Sequence, residues 1–395
     1  MTMKYPLASS SWGQEELDAM HRVIDSGMFS MGPNVKAFER AFADYVGSKH
    51  CVMVNSGSSA NLLMIAALFY TKNQRFKLQK GDEIIVPAVS WSTTYFPLYQ
   101  YGLKLKFVDI DLHTLNYDLD QLSLAVTGET RAIMVVNLLG NPNDFSQIEQ
   151  IIGSRNIVMV EDNCESMGAT YGGRHAGTFG LMGTFSSFFS HHISTMEGGL
   201  IVTDDEEIYQ ILLSLRSHGW TRDLPKQNLV CSDKSDDYFE ETWRFVLPGY
   251  NLRPLELEGA LGVEQLKRLP GMIEHRRENG GQLQSALSNH KHIIIQREIG
   301  QSSWFGFSLV IRPGSELTRK ELVTALSKSG FECRPIVAGN FAKKEVTKYF
   351  DSVTYGRLKN AEHIDQNGLF IGNHHYRMAE ALATLETLLA NIPME

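Results

Sequence analysis

Cys51-Val52-Met53-Val54-Asn55-Ser56-Gly57-Ser58-Ser59-Ala60-Asn61 reads as a strand, a tight turn and the first turn of a helix. Cys51–Asn55 is a short apolar run with two β-branched residues, as a buried strand requires. Gly57 lets backbone approach an anion closely, and Ser58 and Ser59 put N–H groups and hydroxyls at a helix N-terminus. A Gly/Ser turn that only caps a helix is an equally complete reading of this segment taken alone. The same alternation then continues. Strands are expected at Glu83–Pro87, Leu105–Asp109, Arg131–Val136 and Ile157–Glu161. Helices are expected at Ser58–Tyr70, Thr93–Tyr101, Leu119–Val126 and Phe145–Gly153. Such an order predicts a mostly parallel sheet wrapped by helices, whose ligand lies where strands end and helices begin.

Outward from this core, Glu15–Ile24 places Leu17, Met20, Val23 and Ile24 on one helical face and stops at Gly27. Val35, Phe38, Phe42 and Val46 mark a second amphipathic helix. Past Leu266 the texture changes. A polar helical stretch over Met272–Ser288 leads to strands at His292–Arg297 and Trp304–Ile311. A helix at Thr318–Ser329, a strand at Phe331–Pro335 and a helix at Arg377–Asn391 follow. The organisation expected is a large α/β domain over 1–266, with an N-terminal helical segment, and a smaller α+β domain over 267–395.

The chain has 395 residues, 43% hydrophobic and 21% charged, enough for a large core. A net charge of -8 gives no general attraction to nucleic acid or anionic membrane, so an anionic substrate needs a local cluster of Arg and His. No apolar run approaches the roughly 18 residues of a membrane span. Met1–Pro6 lacks the apolar core of a leader, and a cytoplasmic protein is expected. Cys51, Cys164, Cys231 and Cys333 lie far apart with no CxxC pair, which predicts reduced, structural thiols and no metal centre.

Four more segments carry polar residues at element ends. Val89-Ser90-Trp91-Ser92 follows a strand, and its Trp is by itself as readily rim packing as a ring platform. Val160-Glu161-Asp162-Asn163-Cys164-Glu165-Ser166-Met167-Gly168-Ala169 ends a buried run on carboxylates, of which Asp162 alone would pass as a helix cap. Gly183-Thr184-Phe185-Ser186-Ser187-Phe188-Phe189 leads into Ser190-His191-His192-Ile193-Ser194-Thr195-Met196-Glu197-Gly198-Gly199. Leu247-Pro248-Gly249-Tyr250-Asn251-Leu252-Arg253 closes the set.

Taken in order, these segments resemble the sugar-nucleotide aminotransferases that use pyridoxal phosphate (PLP), the fold-type I, aspartate aminotransferase-like enzymes. The family pattern reads Lys, a variable residue, an aliphatic, Ser/Thr, two more residues, then Glu-Gly-Gly. In this chain the lysine position is His191. An imidazole cannot hold the aldehyde covalently, yet it moves protons near neutral pH. The resemblance implies PLP and its amine form, pyridoxamine phosphate, as cofactors held without a covalent bond. Gly57, Ser58, Ser186 and Asn251 would meet the phosphate, and Trp91 would stack on the ring. Asp162 would pair with the pyridine nitrogen, and Glu165 would lie near the ring hydroxyl, where most relatives carry Gln. Asn251 would reach the cofactor of a neighbouring subunit, making a homodimer with shared active sites.

The histidine points further, to the branch of the family that removes a hydroxyl. The implied reaction uses L-glutamate to aminate the cofactor, which then engages a GDP-linked 4-keto-6-deoxy sugar. His191 moves the protons as the C3 hydroxyl leaves, and ammonia is released on hydrolysis. His218, Arg222, Arg253 and Arg334 are candidates for the diphosphate or the sugar; each reads equally as a surface ion pair. His192 is read as packing or a secondary hydrogen bond. A CDP-sugar dehydrase-like enzyme and an ordinary sugar aminotransferase are the alternatives. The first relies on an iron–sulfur cysteine set that this sequence lacks, and the second on the missing lysine.

Overall fold

The computed structural model describes residues 4–392. Met1–Met3, the start of the segment read as no leader, and residues 393–395, the end of the range assigned to the small domain, lie outside the described residues.

An eight-stranded sheet forms the centre. Across it the strands run His50–Val54, Gly199–Thr203, Gly183–Ser186, Val158–Asp162, Thr130–Val136, Glu83–Pro87, Lys104–Val108 and Ser352–Thr354. Only Gly199–Thr203 is antiparallel to its neighbours; every other pairing is parallel. Both faces are covered, so the strands read as continuous apolar runs rather than alternating ones. Ile84 and Val86 pack with Leu63 and Met134, while Ile85 between them packs with Ile133 and Val135 on the other face. Helix Gly57–Tyr70 lies in the interior with Leu63, Met64, Ile65 and Leu68 fully buried.

The five strands expected in this part are present within a residue or so, and Glu83–Pro87 matches at both ends. Three strands of the sheet had no sequence signal. Gly183–Ser186 and Gly199–Thr203 are short and open on glycine, and Ser352–Thr354 is a polar triplet from late in the chain that pairs Ser352 with Leu105.

Two differences concern helices. The polar stretch expected to begin at Met272 is the second half of one 32-residue helix, Glu256–Leu287, which runs through Leu266 and Pro270. Proline removes one N–H from the ladder, but packing on both sides outweighs that cost. Gly259 and Gly262 let helix Pro33–Val46 approach closely: a Cβ at Gly262 would stand 2.4 Å from the Phe38 ring. On helix Gln14–Ser26 the buried face holds Glu16, Ala19 and Val23, whereas Leu17 and Ile24, expected inward, are exposed. The inward stripe is set by Ala260 of the long helix and by Gln265, which donates to Glu16 (2.6 Å).

The C-terminal part builds an antiparallel sheet in the order Ile293–Ile295, Gly306–Ile311, Gly368–Gly372, Cys333–Arg334. Helices Arg319–Lys328 and Ala379–Ala390 and the end of the long helix share its core through Leu322, Leu385 and Leu283.

Candidate functional site

The parallel strands deliver their C-terminal ends to one cavity of roughly 330 Å³. Gly57, Ser58, Trp91, Asp162, Glu165, Ser186 and His191 all line it, so seven of the residues singled out in the sequence meet in space. Ser56, Ser90, Cys164, Ser190, Glu197 and Val337 join them, and no Lys or Arg is among the lining residues.

At one end, Ser56 caps helix Gly57–Tyr70 by accepting from Ser59 N (3.1 Å). The open N–H groups of that first turn make an anion site. Gly57 is required by close approach: a Cβ would sit 2.7 Å from Ser186 Cβ and 2.9 Å from Cys164 Sγ. Ser58 Oγ donates to Thr93 Oγ1 (3.1 Å), and Ser186 Oγ accepts from Phe188 N (3.3 Å). Trp91 stands at the start of helix Ser92–Gln100 with 57% of its surface exposed, an indole face on the cavity rim.

Asp162 ends its strand buried. Its Oδ2 accepts from Asn61 Nδ2 (2.8 Å) and Thr94 Oγ1 (2.8 Å), and its Oδ1 from Cys164 N (3.1 Å). Asn61 is itself oriented by Thr184 Oγ1 (2.6 Å). Three neutral donors fix the carboxylate without cancelling its charge, which leaves it available to a cation in the cavity. Sequence reading missed Asn61 and Thr94, which stand near residues it did identify: Asn61 one helical turn beyond Gly57, and Thr94 three residues beyond Trp91 in the first turn of its helix.

Glu165 accepts from Leu139 N (3.0 Å), and Leu139 holds a positive φ of 53°. Burial pushes its carboxyl up to about 7; the Leu139 N–H opposes this and the Asp162 charge adds to it. In the same cavity, burial and then the Arg276 guanidinium push His191 down to about 4. Its Nδ1 is buried with no partner, which leaves Nε2 for exchange with the cavity. The ring packs against Phe305 at 5.0 Å and edge-on to Phe188 at 5.9 Å. Arg276 belongs to the long helix and donates to Phe305 O (3.1 Å) and Asn373 O (2.7 Å). His192 turns the other way, is buried, and donates from Nε2 to Ser303 O (3.2 Å).

The remaining candidates stand outside the cavity of this chain. Arg253 Nε donates to Asn251 Oδ1 (3.0 Å). The guanidinium groups of Arg222 and Arg253 lie 4.5 and 5.7 Å from the Trp220 ring, and His218 packs on the same indole at 4.7 Å. Arg334 pairs with Glu332 at 3.2 Å on the surface, one of the two readings its sequence allowed. Among the described residues no group of three metal-ligating side chains occurs.

The cavity matches the chemistry of PLP part by part. A helix N-terminus and the Ser186 hydroxyl suit a phosphate dianion, with space that a side chain on Gly57 would fill. The Asp162 carboxylate suits a protonated ring nitrogen, the Trp91 indole suits an aromatic ring, and no lysine lines the wall to bind an aldehyde.

A model of the DegT/DnrJ/EryC1/StrS aminotransferase family matches residues 10–385. The chain is 59% identical over 388 residues to the GDP-4-keto-6-deoxy-D-mannose 3-dehydratase of Yersinia pseudotuberculosis, covering 98% of each. It is similar in structure to the E. coli GDP-4-keto-6-deoxy-D-mannose-3-dehydratase with bound hydrated PLP: TM-score 0.97, 59% identity, 98% of this chain and 100% of that one. A GDP-4-keto-6-deoxymannose-3-dehydratase with a trapped PLP–glutamate geminal diamine gives a TM-score of 0.96 at the same identity and coverage.

Proposed function

The chain belongs to the DegT/DnrJ/EryC1/StrS aminotransferase family, and from that premise we propose that it is a PLP-dependent 3-dehydratase of GDP-4-keto-6-deoxy-D-mannose. It is a lyase that uses L-glutamate as amino donor and yields GDP-4-keto-3,6-dideoxymannose and ammonia. The observation that carries this reading is the cavity wall itself, where Asp162, Ser186 and His191 are present and no lysine is.

When bound, PLP and its amine form supply an electron sink conjugated with the sugar's C4, which is what lets the neighbouring C3 hydroxyl depart. Asp162, fixed by Asn61, Thr94 and the Cys164 N–H, would pair with the pyridine nitrogen. Gly57, Ser58 and Ser186 would hold the phosphate, and Trp91 would cover the ring. His191 begins neutral, because burial and Arg276 disfavour its charged form, so Nε2 would be free to take the proton given up by the cofactor's C4′ carbon. The imidazolium thus formed is a stronger acid than an ordinary one and passes the same proton to the hydroxyl as it leaves. One side chain serves as base and then as acid.

Two further elements belong to the proposal. The active unit is a homodimer in which Asn251 of the partner subunit completes the phosphate site; in support, Asn251 lies outside the cavity of its own chain. The large domain is proposed over 1–266 and the small one over 267–395, the long helix and the strand Ser352–Thr354 tying the two together, and Val337 of the later part lines the cavity while Phe305 packs on His191. We place the enzyme in the cytoplasm with its water-soluble substrates; among the described residues no helix is long and apolar enough to cross a membrane.

The test is incubation with PLP, L-glutamate and GDP-4-keto-6-deoxy-D-mannose, read by mass spectrometry and by ammonia and 2-oxoglutarate assays. Loss of the C3 oxygen with ammonia release is expected. An amino sugar that keeps its C3 oxygen, or turnover of the CDP-linked sugar in preference to the GDP-linked one, would overturn the assignment.

A further inference from the structure

The His191 ring is seated by packing alone. Its Nδ1 is buried without a hydrogen-bond partner, so ring contacts set the angle at which Nε2 meets the cavity. That angle matters, because misplacing a proton carrier by about 1 Å costs on the order of 10²-fold in rate. Two rings make the contacts: Phe188, edge-on at 5.9 Å, and Phe305, at 5.0 Å with a 56° tilt. Phe188 is 37% exposed and belongs to the same loop as His191, so the fixed partner is Phe305.

Phe305 is held at both backbone ends. Its N donates to Leu139 O (3.0 Å), and its O accepts from Arg276 Nη1 (3.1 Å). The two residues before it are tied as closely. Ser303 N donates to Gly140 O (2.9 Å), Ser303 O accepts from His192 Nε2 (3.2 Å), and Trp304 O accepts from Asn373 Nδ2 (2.8 Å). Both members of the His191-His192 pair therefore dock on Ser303–Phe305, one by its ring and the other by a hydrogen bond. The contact leaves no slack: a Cβ at Gly140 would stand 2.6 Å from Trp304 N and 2.8 Å from Phe305 N. Leu139 and Trp304 hold φ values of 53° and 47°, in the left-handed region. Such strain persists only where surrounding structure enforces it, and it clusters at functional positions.

Arg276 is 5% exposed and donates only to carbonyls, those of Phe305, Asn373 and Trp304; no carboxylate among the described residues pairs with it. Burial pushes its guanidinium down to about 10. A buried charge without a counter-charge is destabilising, and here its donors go to the backbone beneath the base. Leu139 sends its N–H to Glu165 Oε2 and its C=O to Phe305 N, both at 3.0 Å. One residue thus spaces the Glu165 wall from the seat of His191.

We infer that Phe305 is a positioning residue for the dehydration: its ring is the platform on which the His191 imidazole rests, and Leu139 and Arg276 hold that platform at its two backbone ends. This deepens the dehydratase reading above and rests on it.

The test is a double-mutant cycle on the PLP-loaded enzyme with L-glutamate and the GDP-linked sugar. Phe305→Leu should lower the maximal rate of ammonia release by about tenfold and Phe305→Ala by ~10²-fold, with KM for the sugar within about twofold of wild type. Phe305→Tyr, which keeps an aromatic ring, should retain the rate within about threefold. In a His191→Asn background Phe305→Leu should lose nothing further, because a platform without its base cannot affect proton transfer. Equal losses from Phe305→Leu with and without His191, or a loss that falls on KM, overturn the inference. A second readout needs no turnover. In the cofactor-free protein Phe305→Ala uncovers the ring and should move the His191 NMR titration from about 4 toward 6.5, while Phe305→Tyr leaves it low. The other charged and titratable groups around the ring, Arg276, His192, Asp162, Cys164, Glu165 and Glu197, are unchanged in these variants. A His191 titration that stays near 4 in Phe305→Ala also overturns the platform. A wild type that releases no ammonia from the GDP-linked sugar fails the dehydratase reading itself, and the imidazole titration then decides the platform alone.

Discussion

Replacing His191 with asparagine removes one proton carrier and little else. The imidazole Nδ1 makes no hydrogen bond, so the shorter amide breaks none in taking its place. With its pKa held near 4, about one ring in a thousand is protonated at pH 7, and the base form is complete before substrate arrives. A positioned acid/base contributes ~10²–10⁴-fold, or roughly 3–5 kcal/mol of barrier. Because one ring serves both proton transfers, we expect a loss of ~10³-fold in ammonia release for His191→Asn. Glu165, raised to about 7, is another acid/base group on the cavity wall and is expected to set the residual rate. The assay is single-turnover ammonia release with cofactor occupancy verified by absorbance. The sign of the pH effect follows from the depressed pKa. In the cofactor-free protein the His191 ring stays neutral as pH falls through 6.5 and takes up its proton only toward 4, which NMR titration of the imidazole resonances can follow. Ammonia release close to wild type from a cofactor-loaded His191→Asn enzyme, or a cofactor-free titration at 6.5 or above, refutes this account.

Borohydride treatment of the PLP-loaded wild type should leave no pyridoxyl group on the chain, whereas His191→Lys should acquire one and a new visible band; peptide mass mapping decides. Mixing inactive Asn251→Ala with inactive His191→Asn should restore activity through hybrid dimers, and a fully active monomer by sedimentation would sink the shared-site proposal. Gly57→Ala should weaken PLP binding and cost about 1–3 kcal/mol of stability, because its methyl would crowd Ser186 and Cys164. A Gly57→Ala protein with unchanged Tm and PLP affinity would contradict the close packing at that turn.

The parallel core was legible because its strands are aliphatic and bounded by turn residues, as at Glu83–Pro87. Gly183–Ser186 and Gly199–Thr203 were not, since four or five residues opening on glycine give no periodic pattern. The long helix was half hidden by Pro270 and by the polar surface of its second half. At the site, residues at strand ends were legible through their order along the chain. Asn61 and Thr94 were not, because the carboxylate that gives them meaning lies 101 and 68 residues away. Arg276 is hidden more deeply. It sits in an ordinary helical sequence, and only the fold brings its charge near enough to depress His191.

The triplet Ser352–Thr354 has a consequence for anyone recombining this enzyme with its relatives. Late in the chain, it forms the border of the early sheet, with Ser352 paired to Leu105 and Thr354 to Phe107. A fragment ending at residue 266 would stop inside the Glu256–Leu287 helix and strip that border from Lys104–Val108, baring backbone N–H and C=O groups that invite aggregation. Exchanging C-terminal parts between homologues therefore replaces two junctions at once, a helix and a strand register. A chimera is expected to fold only when both are inherited together.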